Sequence, residues 1–217
     1  MRTDAVTSSR WVLLLLLFLA VSIGAAAETW RFSADQVSST QSGDNPKTIL
    51  DGNARVESDN MVISASHLVL GGKDYNIISG EDGVSLTDRD RGITVSSGRF
   101  SYDRDAKIIR FREQVSLIDE EKGIVIRCES LNLQEENDLV VMQVSVRLIK
   151  EDTVSRGEFA TYWMNDNILE ISGRPVVWRK DDEYRADRIR VNLDTDEITM
   201  EGAVAGALTT KKNENEE

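Results

Sequence analysis

The chain has 217 residues, 40% of them apolar and 29% charged, a composition of soluble globular proteins that excludes a multi-span membrane protein. Its 26 Lys and Arg stand against 38 Asp and Glu, a formal net charge of -12, so most of the surface repels a phosphate backbone and nucleic acid is excluded as a partner. One cysteine forbids an intrachain disulfide, and with a single histidine it cannot assemble the usual zinc set, so neither a metal nor a cofactor is expected.

The chain opens with an address. Arg2 and Arg10 precede an apolar run from Trp11 to Ile23, and Gly24-Ala25-Ala26-Ala27 supplies the small residues of a cleavage site. Residues 1–27 therefore read as a secretory signal peptide cut near Ala27, so the mature chain is expected to be exported. The alternative is a retained anchor, but Trp11 to Ala27 is at the short limit for spanning a bilayer and lacks a basic flank.

Residues 28–208 read as strand throughout: Pro is nearly absent, no segment sustains a helical period, and apolar pairs alternate between Gly, Asn and Asp turns. One unit recurs every 28 to 31 residues, about five and a half times. Its first half is an apolar pair leading to a second apolar pair, as in Ile49-Leu50-Asp51-Gly52 to Val56, or Ile77-Ile78-Ser79-Gly80 to Val84 and Leu86. Turn chemistry follows, such as Asp88-Arg89-Asp90 or Asp119-Glu120-Glu121. The second half is apolar, any, small, any, any, apolar: Phe32 to Val37, Ile63 to Leu68, Val95 to Phe100, Ile126 to Leu131, Tyr184 to Ile189. One copy departs, because Val154 to Phe159 puts Arg156 in the small position.

The phase of the second half predicts a bend. Ile63 and Ala65 have odd numbers while Leu68 and Leu70 are even, and the same switch separates Val95 from Phe100 and Ile126 from Leu131. Inward residues of a flat strand keep one parity, so a strand that keeps its apolar groups inside across this switch has a bulge, with the small residue inside the bend. Stacked bent strands make two sheets joined along a crease, an all-β open trough on the order of 50 Å long at ~4.8 Å per strand.

These features, with the export signal, Trp30-Arg31-Phe32-Ser33-Ala34-Asp35-Gln36-Val37 and the repeated Ile-x-Ala-x-x-Leu strands, resemble the LptA/OstA-like periplasmic proteins over roughly residues 30 to 205. The resemblance implies an open twisted β-jellyroll, or β-taco. It also implies a carrier, not an enzyme, which shelters lipopolysaccharide or a related glycolipid. The implied partners are homologous modules of an inner-membrane ABC transporter complex and an outer-membrane translocon, stacked head to tail, including a head-to-tail homo-oligomer. A member with a retained anchor resembles LptC instead.

The inward set expected to line the trough is Ile63, Ala65, Leu68, Leu70, Val84, Leu86, Val95, Phe100, Tyr102, Ile109, Phe111, Val115, Leu117, Ile126, Leu131, Leu133, Met142, Val144, Val146, Leu169, Ile171, Ile189 and Val191. The plainer alternative is that they fill a closed sandwich core. Anionic headgroups outside an acidic body call for a locally basic rim or a less anionic glycolipid. The open edges are expected at Trp30, Phe32, Ala34 and Val37 and at Ile198, Met200 and Val204, ready for β-augmentation. The polar tail 209–217 is expected to lack structure.

Other chemistries are weaker. His67 is expected to be an outward bend residue, Cys128 a buried small residue, and Glu120-Glu121 and Asp181-Asp182-Glu183 solvated turns in place of an acid and base pair. Trp163 and Trp178 are expected to cap the trough or fill its wall; sugar stacking at either would instead mark a carbohydrate-binding protein. A structural periplasmic filament without a ligand is the third reading.

Overall fold

The computed structural model describes residues 29–41 and 46–209, so the expected signal peptide and nearly all of the tail lie outside the described residues. Eight long strands cross the whole molecule: β3 (Lys47–Glu57), β4 (Met61–Gly71), β5 (Ile77–Asp88), β6 (Ile93–Asp103), β7 (Ile108–Asp119), β8 (Ile124–Gln134), β9 (Leu139–Lys150) and β10 (Thr153–Trp163). At the two ends the crease divides each strand in two. These halves are β1 (Arg31–Ser33) and β2 (Gln36–Thr40), β11 (Ile168–Ser172) and β12 (Val176–Arg179), β13 (Asp182–Arg185) and β14 (Arg188–Asn192), and β15 (Ile198–Glu201) and β16 (Ala205–Ala207).

All pairings are antiparallel and, apart from the divided ends, run between sequence neighbours. A first wall runs from β2 through β3 to β11, β14 and β15, and a second from β1 through β3 to β10, β12, β13 and β16. Twelve strands in each wall make a body on the order of 50 Å long at ~4.8 Å per strand. The sheet does not close on itself, and single 3-10 turns at Lys73–Tyr75 and Glu135–Asn137 are the only helical segments among the described residues.

The crease is built by two different bends. In β4, β6 and β8 the inward residues step by three, from Ala65 to Leu68, Ser97 to Phe100 and Cys128 to Leu131, and parity switches as expected. In β3, β5, β7 and β9 they step by four, from Leu50 to Ala54, Gly80 to Val84, Phe111 to Val115 and Met142 to Val146, and parity is kept. Two residues at positive φ fill each longer step: Gly52 and Asn53, Asp82 and Gly83, Glu113 and Gln114, Val144 and Ser145. Each pair opposes one residue of the neighbouring strand, a two-against-one bulge repeated along the molecule.

This geometry corrects two expectations. Val144 is not a lining residue: it occupies the outer corner at φ 64 and is 50% exposed. Arg156 is not in the small slot either, because the inward residues of β10 are Ser155, Gly157 and Ala160, one residue later than the sequence frame placed them. Arg156 faces outward, its guanidinium 5.1 Å from the Trp178 ring centroid. Gly157 meets the need for a small inner residue, since a Cβ there would lie 2.4 Å from Ile171 Cγ2 and 2.7 Å from the Ser172 carbonyl oxygen.

Two substitutions test the bend chemistry by urea unfolding. Gly157→Ala overpacks the crease and lowers stability by about 1–3 kcal/mol, whereas Val144→Gly relieves a β-branched residue at positive φ and raises it by about 1 kcal/mol. Equal, near-zero effects would show that the corner is not built this way.

Candidate functional site: the apolar interior and its rims

Every residue expected to line the interior is buried except Leu133, which is half-buried against the core, and Val144. Their side chains form one apolar cluster that continues from Leu50 to Leu193 through both walls. Each fully buried Leu, Ile, Val or Phe contributes about 1.5–3 kcal/mol, so the walls attract each other strongly in water. They are in contact: Leu86, Val95, Phe111, Leu131 and Met164 surround a residual space of about 20 Å³. The interior of this structure is therefore a filled sandwich core, whose walls are joined covalently only at the crease.

Sequence alternation missed several members of this core. Ile78, Ile93, Ile124, Val140, Leu148 and Tyr162 are buried, and continuing the period of two from Val95, Ile126, Met142 and Val146 would have reached most of them. Val177 is buried as well, while its neighbour Val176 is half-buried.

The tryptophans correct another expectation. Trp163 and Trp178 alternate with buried Tyr162 and Val177 and so lie on the outer faces of the walls, neither capping nor filling the interior. Arg190 stands 5.8 Å from the Trp163 ring centroid, and Trp178 donates a 3.0 Å hydrogen bond to Glu183. That bond, after one from Arg185, holds the Glu183 carboxyl below its ordinary pKa. His67 also faces outward, with Nδ1 2.6 Å from Asp51 Oδ1. Cys128 fills its small slot with the thiol donating to the Ser130 carbonyl at 3.3 Å, and burial pushes its pKa up to about 11.

An acidic corner cap went unnoticed in the sequence. The residue after the small slot points into the bulge of a neighbouring strand: Asp35 accepts a 2.9 Å bond from Asn53 Nδ2, and Asp187 accepts a 3.2 Å bond from the Ala203 amide. Glu129 does the same for the Gln114 amide at 3.4 Å. These carboxylates satisfy donors that a left-handed corner would otherwise leave to water. The Ala34-Asp35 and Ala186-Asp187 dipeptides are the signal that carries this feature.

The free margins of the walls, opposite the crease, are rows of turns. On the first wall they lie at 72–76, 104–107, 135–138, 164–167 and 193–197, and on the second at 58–60, 89–92, 120–123, 151–152 and 180–181. Side chains cross from one margin to the other. Arg91 reaches Asp138 at 3.3 Å and Glu135 at 3.7 Å; Lys122 donates to Asn167 Oδ1 at 2.8 Å, the Met164 carbonyl at 3.2 Å and the Tyr162 hydroxyl at 3.3 Å. Lys150 donates to the Leu193 carbonyl, and Arg179 reaches Asp196 at 2.9 Å. Burial opposes the charge of Arg91, yet Asp88, Glu135 and Asp138 together hold its pKa above the ordinary guanidinium value. Burial, followed by Asp119 and Asp194, pushes Tyr162 up to about 12.

At the N-terminal end the margins meet at Trp30, whose ring centroid is 6.4 Å from that of Tyr102 with Arg104 5.2 Å from it. Beside it a groove of about 440 Å³ is lined by Trp30, Phe32, Val37, Leu70 and Tyr75 among others. Phe32 and Val37 are half exposed, and Ala34 is half-buried. At the other end Ile198 and Met200 are half-buried and Val204 half exposed. Among the described residues, strands β1, β2, β15 and β16 each pair on one side only, leaving an open edge at either end.

A family model described as "LptA/(LptD N-terminal domain) LPS transport protein" matches residues 31–197. Among solved structures, a similar one is LptH, described as the LptA homologous periplasmic component of the conserved lipopolysaccharide transport device from Pseudomonas aeruginosa. The likeness covers 84% of this chain and 96% of that one, at 8% identity and a TM-score of 0.27. No curated protein matches the chain.

Proposed function

Because the chain belongs to the LptA/LptD N-terminal domain family of lipopolysaccharide transport proteins, we propose that its apolar interior shelters the acyl chains of lipopolysaccharide or a related glycolipid in the periplasm, passing them between the inner and outer membranes. The observation that carries this reading is the unbroken apolar lining, hinged along one crease and ending at an open strand edge on either side. Acyl chains exposed to water cost about 0.8 kcal/mol per CH2, so continuous shelter is the main requirement of such a path.

The closed interior supports a carrier more readily than a rigid pocket does. An acyl chain entering between the walls replaces one apolar neighbour of Phe111 or Leu131 with another, so little apolar surface meets water in either state. Many interchangeable aliphatic contacts hold the chain without fixing it, which suits release to a following module. The edges at β1–β2 and β15–β16 offer unpaired backbone groups through which homologous modules, or further copies of this chain, continue both walls.

A photo-crosslinking residue at Leu117 or Met142, both buried in the interior, is expected to capture lipopolysaccharide in cells, and one at outward Ile118 or Arg112 to capture none. Equal capture inside and outside would reject the interior as the path. For stacking, removing residues 198–217 is expected to abolish concentration-dependent association in sedimentation velocity; unchanged association would remove the C-terminal edge as a joint.

A further inference from the structure

The four side chains that cross the mouth from the second wall form a regular series. Arg91, Lys122, Lys150 and Arg179 are 28 to 31 residues apart, one at each successive turn of that margin, Arg91 and Lys122 within the turn and Lys150 and Arg179 at the strand end that leads into it. Other cations of the same turns behave differently. Arg89 runs along the margin to the Asp59 carbonyl at 3.2 Å, and Lys180 runs along it to Asp152 at 3.6 Å. The series reaches across instead, and it takes its partners from carboxylates, an amide oxygen, a tyrosine hydroxyl and main-chain carbonyls of the first wall.

A chain of net charge -12 has no shortage of acids near its cations, so pairing alone does not explain cations at this spacing along the opening. The placement does. A glycolipid whose hydrocarbon lies between the walls presents its polar head at the mouth, and a wall that swings away takes the first-wall partners of Arg91, Lys122, Lys150 and Arg179 with it, leaving Arg91 only Asp88 of its own margin, 3.1 Å away. A cation so separated at the margin of an apolar cleft loses part or all of its pairing, a costly change unless another anion arrives. Phosphate and carboxylate oxygens are suited to guanidinium and ammonium donors.

Resting on the transport reading above, we propose that Arg91, Lys122, Lys150 and Arg179 are a binding series for the anionic headgroup of the carried glycolipid. Closed, they tie the mouth to the first wall; loaded, they exchange those oxygens for the phosphate or carboxylate oxygens of the ligand. The acidic body then disfavours an anionic head everywhere except along this margin, which orients the molecule with its chains inward. The exchange breaks and forms ionic hydrogen bonds only, so the carrier needs no energy source of its own for it.

The test measures equilibrium binding of two probes to the full mature chain: a bisphosphorylated, multiply acylated glucosamine disaccharide and the same molecule with both phosphates removed. Arg91→Gln with Lys122→Gln is expected to bind the phosphorylated probe about tenfold more weakly while binding the dephosphorylated probe within about threefold of the unaltered protein. The retained neutral binding shows that the variant is folded. Glu135→Gln with Asp138→Asn, which removes competitors and leaves Arg91 in place, is expected to tighten the phosphorylated probe by about threefold or more. Equal losses for both probes, or no loss for either, overturn the headgroup series while leaving the transport reading standing. Failure of the unaltered protein to bind either probe overturns the transport reading itself.

Discussion

The structure depends on one constraint: each strand must turn a corner and still present hydrocarbon to the same interior. A flat strand cannot do this, because its side chains alternate rigidly between faces. The chain meets the requirement with complementary bends on neighbouring strands. One strand shortens its inward step to three residues, as from Cys128 to Leu131, and the next lengthens it to four, as from Met142 to Val146. The surplus residues on the longer path, Val144 and Ser145, enter the left-handed region and leave the interior. Repeated along the sheet, this two-against-one bulge sets a continuous crease and makes the two walls face each other.

A crease on one side leaves a mouth on the other, and the mouth is governed by two unlike forces. Apolar attraction between the walls is broad, undirected and satisfied equally well by a second wall or by an acyl chain. The polar ties of Arg91, Lys122, Lys150 and Arg179 are few, directed and tied to individual oxygens. In the proposed carrier, the first force lets the interior exchange protein contacts for lipid contacts with little net change. The second gives the closed state a defined geometry and the margin a preference for negative charge. A lipid with hydrocarbon and anionic oxygens on one molecule addresses both forces at once.

Much of this was legible in the sequence. The repeat, the folded strands, the inward set from Ile63 to Val191 and the positions of the open edges follow from period-two patterning and a parity switch. The errors have local causes. Val144 was placed inside because plain alternation was carried through Met142, Val144 and Val146, and alternation has no means of marking a four-residue corner when neither corner residue is glycine. Arg156 was placed in the small slot because Val154 and Phe159 mimic the apolar ends of the motif, although Ser155, Gly157 and Ala160 form the true frame one residue later. The rim ties were not legible at all. They join residues 17 to 47 positions apart across two walls, and no local pattern reports which turn of one margin stands opposite which turn of the other.

Separation of the walls is tested most directly by the distance between them at the mouth. Spin labels at Glu120 on one margin and Asp166 on the other, both exposed, in a chain carrying Cys128→Ser, report that distance by pulsed electron paramagnetic resonance. A control pair at Ala106 and Asp166 lies within the first wall. If acyl chains enter between the walls, saturating lipopolysaccharide lengthens the mouth distance by about 5 Å, half of the usual ~10 Å spacing of packed sheets, and leaves the control pair unchanged. An unchanged mouth distance in a sample shown to hold stoichiometric lipid would mean that the lipid lies outside the walls, contradicting the interior as its path.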